Sequence, residues 1–303
     1  MKSMTAPRSY HKKDVVFPVI NTLIMVILMV VTIYPVWNTV ALSFNDGIDA
    51  VRGGIYLWPR VFSTRSYQVI FADEIIYNAF FITISRTLIQ TLLNVVLTSM
   101  LAYALSRREY VLRKFITTIF VLTMYVNAGL IPNYLLISRT LHLTKSFLVY
   151  IIPTMMSCFN MIVIRTFILG LPDALVESAR IDGAGDIYLF WKIIFPLCLP
   201  VLATVALFVA VDAWNAWFDT YLYCGAEKDL HTLQYILKMK LATTTKNSNS
   251  AMTSVDALSS GGQTTPIVIR SAITVVSALP IMLIYPFLQR YFVVGLNVGS
   301  VKG

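Results

Sequence analysis

Charge is what this sequence has least of. Only 13% of its 303 residues are Asp, Glu, Lys or Arg, against about a quarter in soluble domains, and mean hydropathy is +0.72. Several uninterrupted apolar runs exceed roughly 18 residues, which excludes an ordinary soluble fold. A transmembrane β-barrel is excluded as well, since it would alternate apolar and polar residues over segments of about ten. Cysteine is scarce: Cys158, Cys198 and Cys224 are too scattered for a disulfide framework or a metal site. They read as small buried residues.

Catalytic chemistry is missing too. No G-x-x-x-x-G-K-[ST] loop is present, so the chain is not expected to hydrolyse ATP. His11, His142 and His231 stand isolated, and neither H-E-x-x-H nor G-x-S-x-G occurs. No enzyme, resident cofactor or metal is expected. The net charge of +9 contains no block of five Lys or Arg residues, so it reads as cationic flanks on membrane helices, not as a nucleic-acid surface.

The apolar runs predict an all-α polytopic membrane protein with six spans, over about 15–42, 75–105, 114–137, 146–170, 193–223 and 268–292. Asn127, Ala128 and Gly129 interrupt the third. Residues 1–14 form a basic tail. The run after it is too long for a signal-peptide core and lacks a small-x-small cleavage site. The Lys/Arg of one set of connections lie in the tail, at 107–114, in 171–192 and from Arg290 onward, and this set holds the most compact clusters. They place these segments and both termini in the cytoplasm. The opposite side receives the 224–267 loop, whose Ser, Thr, Asn and Gly content predicts a flexible segment.

Residues 171–192 are the exception to the apolar rule. Pro172 suits a first helical turn, and Asp173 to Asp182 reads as a short helix on which Leu175, Ser178, Ala179 and Ile181 are apolar or small. Gly183 permits a left-handed turn. Asp186 is a plausible N-cap for a second helix, whose apolar face would be Ile187, Phe190, Trp191 and Ile194. On these grounds alone, an interfacial helix that merely anchors a loop remains open.

Spacing adds a family resemblance. Glu177, Ser178, Ala179, Gly183, Ile193 and Pro196 keep the register of E-A-A-x3-G-x9-I-x-L-P, with Ser178 for the first Ala and Phe195 for the Leu. That pattern resembles the coupling-helix motif of permease subunits in bacterial ABC importers. The ESARIDGA form, Arg165 with Thr166 and Phe167, the Gly170–Leu175 segment, YVNAGLIP at 125–132, Trp214 to Trp217, and the ending from Tyr285 are similar to the carbohydrate-uptake subgroup. Its maltose G-type, complex-oligosaccharide branch is the best match, and the likeness covers nearly the whole chain.

The resemblance implies a type I importer architecture, with 15–303 as one transmembrane domain in the bacterial plasma membrane. It implies a heterodimer with a second permease, two ATPase subunits carrying ATP and magnesium, an extracytoplasmic solute-binding protein, and an oligosaccharide cargo. Glu177, Ser178, Ala179, Arg180, Asp182, Gly183 and Pro196 would couple the ATPase to span five. For the substrate path the candidates are Arg86, Tyr125, Asn127, Asn160, Asp212, Trp214, Asn215 and Trp217. Membrane-depth charges face cavities or partners, and aromatic faces with amides suit sugars. Trp and Tyr at span ends also form interfacial belts, and Asn also bonds neighbouring helices. Rise per residue allows Arg86 and Asp212 to overlap in depth and pair. A stand-alone secondary transporter is the main rival class, followed by an importer of another solute.

Overall fold

The computed structural model describes residues 12–126, 128–247 and 265–300, and they fall into two compact units. The first comprises the chain up to Ile70 together with 265–275. Its principal element is α1 (Lys12–Ser43), which contains Pro18 and Pro35. From Val16 to Trp37 its side chains are almost all exposed, including every large apolar one. A helix apolar all round that the described residues leave uncovered is suited to lipid or to another subunit. At its C-terminal end Trp37 Nε1 donates to the Leu57 carbonyl (2.8 Å), and Asn38 Nδ2 donates to that of Ile55 (2.8 Å). Asp46 caps α2 (Gly47–Val51) by accepting from the Ile48 and Asp49 amides, and α3 (Arg65–Ala72) follows.

The second unit comprises residues 71–246 with 276 onward. Asp73 caps α4 (Glu74–Ser106). Packed on it are α7 (Cys158–Leu169) and α11 (Leu199–Asn215), met after α5 (Arg113–Tyr125), α6 (Leu130–Leu135), α8 (Asp173–Ile181), α9 (Asp186–Leu189) and α10 (Phe195–Leu197). Their shared core contains Ala102, Leu105, Met161, Ile164, Ile194 and Val205, each almost fully buried. Burying a side chain of that size is worth about 1.5–3 kcal/mol relative to water, although lipid is no poorer a solvent for it than protein.

Three of the six expected spans are single helices long and apolar enough to cross a membrane: Val16–Ser43, Glu74–Ser106 and Pro266–Leu283. The other three are bent pairs, so six spans result only if each pair counts as one. The third breaks between α5 and the Leu130–Thr140 helix, where Gly129 has φ +87°. The fourth divides into single 3₁₀ turns, Phe147–Tyr150 and Ile152–Thr154, set at 46° to α7. Ser157 caps α7 through the Asn160 amide.

The expected fifth span departs most from a straight rod. Helix Asp186–Leu197 meets α11 at 79°, with Cys198 between Pro196 and Pro200. Proline removes a helical amide and crowds the preceding turn. A π turn at Phe190–Ile194 lies within the first arm. The helix then ends at Asn215, eight residues short of the expected 223, because Ala216 is extended. Part of the expected flexible loop is folded. Residues Leu233, Tyr235, Ile236 and Leu237 of α12 (Leu233–Asn247) are buried. Residues 248–264 lie outside the described residues. The last helix, α13 (Pro266–Ser300), outruns the expected 268–292.

Candidate functional site

The charged segment folds as two short helices around Gly183. Pro172 is the N-cap of α8 and stands just outside its first turn. At the other end Gly183, at φ +82°, donates to the Arg180 carbonyl (3.0 Å), and Ala184 donates to that of Ala179 (3.0 Å). These are the two bonds of a Schellman motif, and the left-handed φ is the reason a glycine is needed there. Val176 is buried and Ala179 and Ala184 pack against the core. The opposite face is open: Glu177, Ser178 and Asp182 are exposed, and Ile181 is 86% exposed. Pro196 is exposed in the first turn of α10.

Two details differ from expectation. Gly185 is the N-cap of α9, and Asp186 is its first residue, with its carboxylate turned to Arg180 Nη2 at 3.4 Å. The apolar face expected from a 3.6 period also rotates. Leu189, Phe190 and Ile194 are buried, whereas Ile187 is 79% exposed and Trp191 stands at the surface. The π turn adds a residue per turn and shifts the register. Arg180 lies among the predicted coupling residues, but its guanidinium is engaged within the chain. It forks onto Glu109 with Nη1 on Oε1 and Nη2 on Oε2, the latter at 2.9 Å. Those charge-assisted bonds hold the Glu109 carboxyl below its ordinary range and raise the Arg180 pKa.

A second cluster lies along α4. Arg86, Gln90, Asn94 and Thr98 recur every four residues and are all buried, forming a polar stripe on one face of an apolar helix. Arg86 pairs with Asp219: Nη1 meets Oδ1 at 3.1 Å, and Nη2 contacts Oδ2. It also donates to the Ala216 carbonyl (3.4 Å), and its Cζ stands 4.6 Å from the centroid of the Tyr150 ring. The Arg86–Asp212 pair allowed by counting rise along a straight span is therefore replaced. The extended Ala216 ends α11 and returns Asp219 toward α4.

Two cavities adjoin this stripe, of about 890 and 490 Å³, and both are lined by Gln90, Thr154 and Asp212. Asn160 lines the larger, and Arg86, Asn215 and Trp217 line the smaller. Five of the eight predicted path residues are thus brought to one place. Asn160 Nδ2 reaches Asn94 Oδ1 (3.4 Å), whose own Nδ2 donates to the Thr154 carbonyl (2.8 Å). Trp214 is not among the residues lining either. It is buried, with its indole N–H on the Ser277 carbonyl (2.9 Å) and its ring edge-on to Phe80. Tyr125 is 80% exposed and absent from both linings. Asn127 lies outside the described residues. Gln90, Asn94 and Thr154 were not foreseen, although the four-residue spacing from Arg86 was a legible sign for the first two. Among the described residues no His, Cys, Asp or Glu cluster could hold a metal ion.

A chain with an exposed charged segment, apolar helices of spanning length and cavities along a buried polar stripe has the parts of a membrane permease. The pattern of the binding-protein-dependent transport system inner membrane component family matches residues 94–298, and the chain belongs to that family. It is 34% identical over 90% of its length to the Polygalacturonan/rhamnogalacturonan transport system permease protein YtcP of Bacillus subtilis strain 168, of which it covers 93%. Protein LplC of the same organism is 32% identical over 95% of both chains. The Arabinooligosaccharides transport system permease protein AraQ, also from B. subtilis, is 27% identical over 95% of this chain and 97% of its own. Among solved structures, a chain of a bacterial ABC transporter involved in the import of the acidic polysaccharide alginate superposes with a TM-score of 0.84 at 28% identity. The match covers 95% of this chain and all of that one. The chain is a permease of the ABC importer kind.

Proposed function

We propose that this permease carries an oligosaccharide across the bacterial plasma membrane, with both termini cytoplasmic, by alternating access driven from partner subunits. The observation that carries the coupling role is the Gly183 Schellman turn. It joins α8, whose Glu177–Ser178–Ile181 face is left exposed, to a second helix that runs on toward α11. On this reading a cytoplasmic ATPase binds that face and moves it when ATP, with magnesium, closes the two ATPase subunits. This chain supplies no catalytic group; it transmits a rigid-body displacement. A second permease completes the cavity, and an extracytoplasmic binding protein delivers the sugar. The carbohydrate names of YtcP and AraQ support the cargo class, as do the amides and aromatic rings around the cavity.

The test is a reconstituted importer that carries Glu177→Arg or Gly183→Pro. Both variants should insert normally and lose at least nine-tenths of binding-protein-dependent uptake, while hydrolysis no longer responds to loaded binding protein. Normal uptake in both would refute the coupling role.

A further inference from the structure

A third cavity, of about 610 Å³, has Tyr134, Thr144, Lys145, Tyr221, Tyr223 and Tyr235 in its lining. It belongs to the end of α4 remote from the charged segment. Asn78, in the second turn of α4, donates to the carbonyl of Asp229, between Tyr223 and Tyr235 in the chain (2.9 Å). Tyr103, near the last turn, instead meets Phe190 at 5.6 Å. On the orientation proposed above, the cavity lies at the end where sugar arrives.

Its wall is fixed by pairing. Tyr134 and Tyr223 stack at 5.7 Å and 9°. The Lys145 amide donates to the Tyr223 carbonyl (3.1 Å) from a backbone at φ +60°, a conformation that persists where surrounding contacts determine it. Glu227 holds Lys145 Nζ at 3.2 Å. Tyr134 and Tyr221 nonetheless remain 39% and 55% exposed. Their hydroxyls, with that of Thr144, make no hydrogen bond among the described residues, and a hydroxyl can both donate and accept.

Tyr221 links this cavity to the inner ones. Its ring lies 6.2 Å from Phe218 at 25° and 6.4 Å from Trp217, and both of those line the 490 Å³ cavity. Lys238 stands over the Trp217 ring at 5.4 Å, so Tyr221 presents the freer face. Flat apolar rings suit the C–H faces of sugar rings, and the open hydroxyls suit their polar edges. Tyr and Trp also form interfacial belts, but belt rings sit at the headgroup level, whereas these line cavities.

We propose that the third cavity is a sugar-binding vestibule, in which Tyr221 stacks one unit of the arriving oligosaccharide beside Phe218 and Trp217. This rests on the oligosaccharide reading above and adds an outer subsite to the intramembrane cavities.

Oligosaccharide digests of rhamnogalacturonan and of arabinan are first offered to the reconstituted wild-type importer with its binding protein. Uptake from neither removes the oligosaccharide reading, and the vestibule with it. A component taken up is then titrated into the importer in lipid nanodiscs, without binding protein, and followed by saturation-transfer NMR. Tyr221→Ala should weaken binding about tenfold, and Tyr221→Phe, which keeps the ring, should recover most of that loss. Wild-type affinity in Tyr221→Ala overturns the vestibule and leaves its rings as a belt. So does an equal loss in Tyr221→Phe, or no binding to the wild-type importer.

Discussion

Arg86 is 1% exposed in its side chain and Asp219 is 23% exposed, and that inequality sets what each contributes. Removing one member of a buried ion pair leaves the other uncompensated, at a cost of about 3–5 kcal/mol. Asp219→Ala strands the more buried charge, with only the Ala216 carbonyl and the Tyr150 ring beside it. It should therefore lower thermal stability in detergent more than Arg86→Leu does, and the double variant Arg86→Leu/Asp219→Ala should cost less than the two singles together. Equal melting temperatures for Asp219→Ala and wild type would refute the pairing. At this scale the sequence is half legible. A lone arginine in a long apolar run announces itself, because charge is costly there. Its partner was misread because the helix stop at Ala216, which has no proline or glycine beside it, left no mark to count from.

At the scale of elements, Arg180 ties α8 to the 107–109 corner that follows α4, and its second contact, Asp186, opens α9. The pair is too exposed to matter for global stability. Its effect lies in keeping three segments in one register. Charge reversal at either residue, Arg180→Glu or Glu109→Arg, should lower sugar transported per ATP hydrolysed, and the double reversal should restore much of it. Failure of the double variant to recover would count against a strut. The sign of the pH effect follows from Glu109. A carboxyl held below its ordinary value of 4.5 is fully ionised above it, so the tie is complete there and is lost only as pH falls through the lowered value. Coupling should show no titration of this pair between neutrality and pH 4.5. The helix–glycine–helix order of this segment was readable because Gly183 must adopt a conformation that side chains resist. The face of the second helix was not. A π turn leaves the residue types unchanged while shifting their register.

For the whole molecule, sidedness can be read by thiol labelling. Cys198 and Cys224 are buried and Cys158 is half-buried, so an exposed introduced thiol should dominate reaction with a membrane-impermeant maleimide. In intact cells Lys228→Cys should label and Arg108→Cys should not, and permeabilising the membrane should expose the latter. The reverse pattern would invert the orientation drawn from the Lys/Arg clusters. Helical class, the places of the apolar stretches and the two short helices around Gly183 were legible from hydropathy and spacing, since those report on solvent. Bends at 46° and 79° were not, because prolines such as Pro153, Pro196 and Pro200 say where an axis can break and not by how much.

The 79° junction at Cys198 makes Asp186–Leu197 and α11 a bell-crank. The short arm is twelve residues, roughly 18 Å at about 1.5 Å per residue, so a rotation of about 10° displaces its free end by about 3 Å. Because the arms stand nearly at right angles, under the coupling proposed above a push across the axis of the short arm becomes a swing of the long one. The far end of that long arm carries Asp212 and Asn215, so under that proposal the residues that line the cavity would travel furthest.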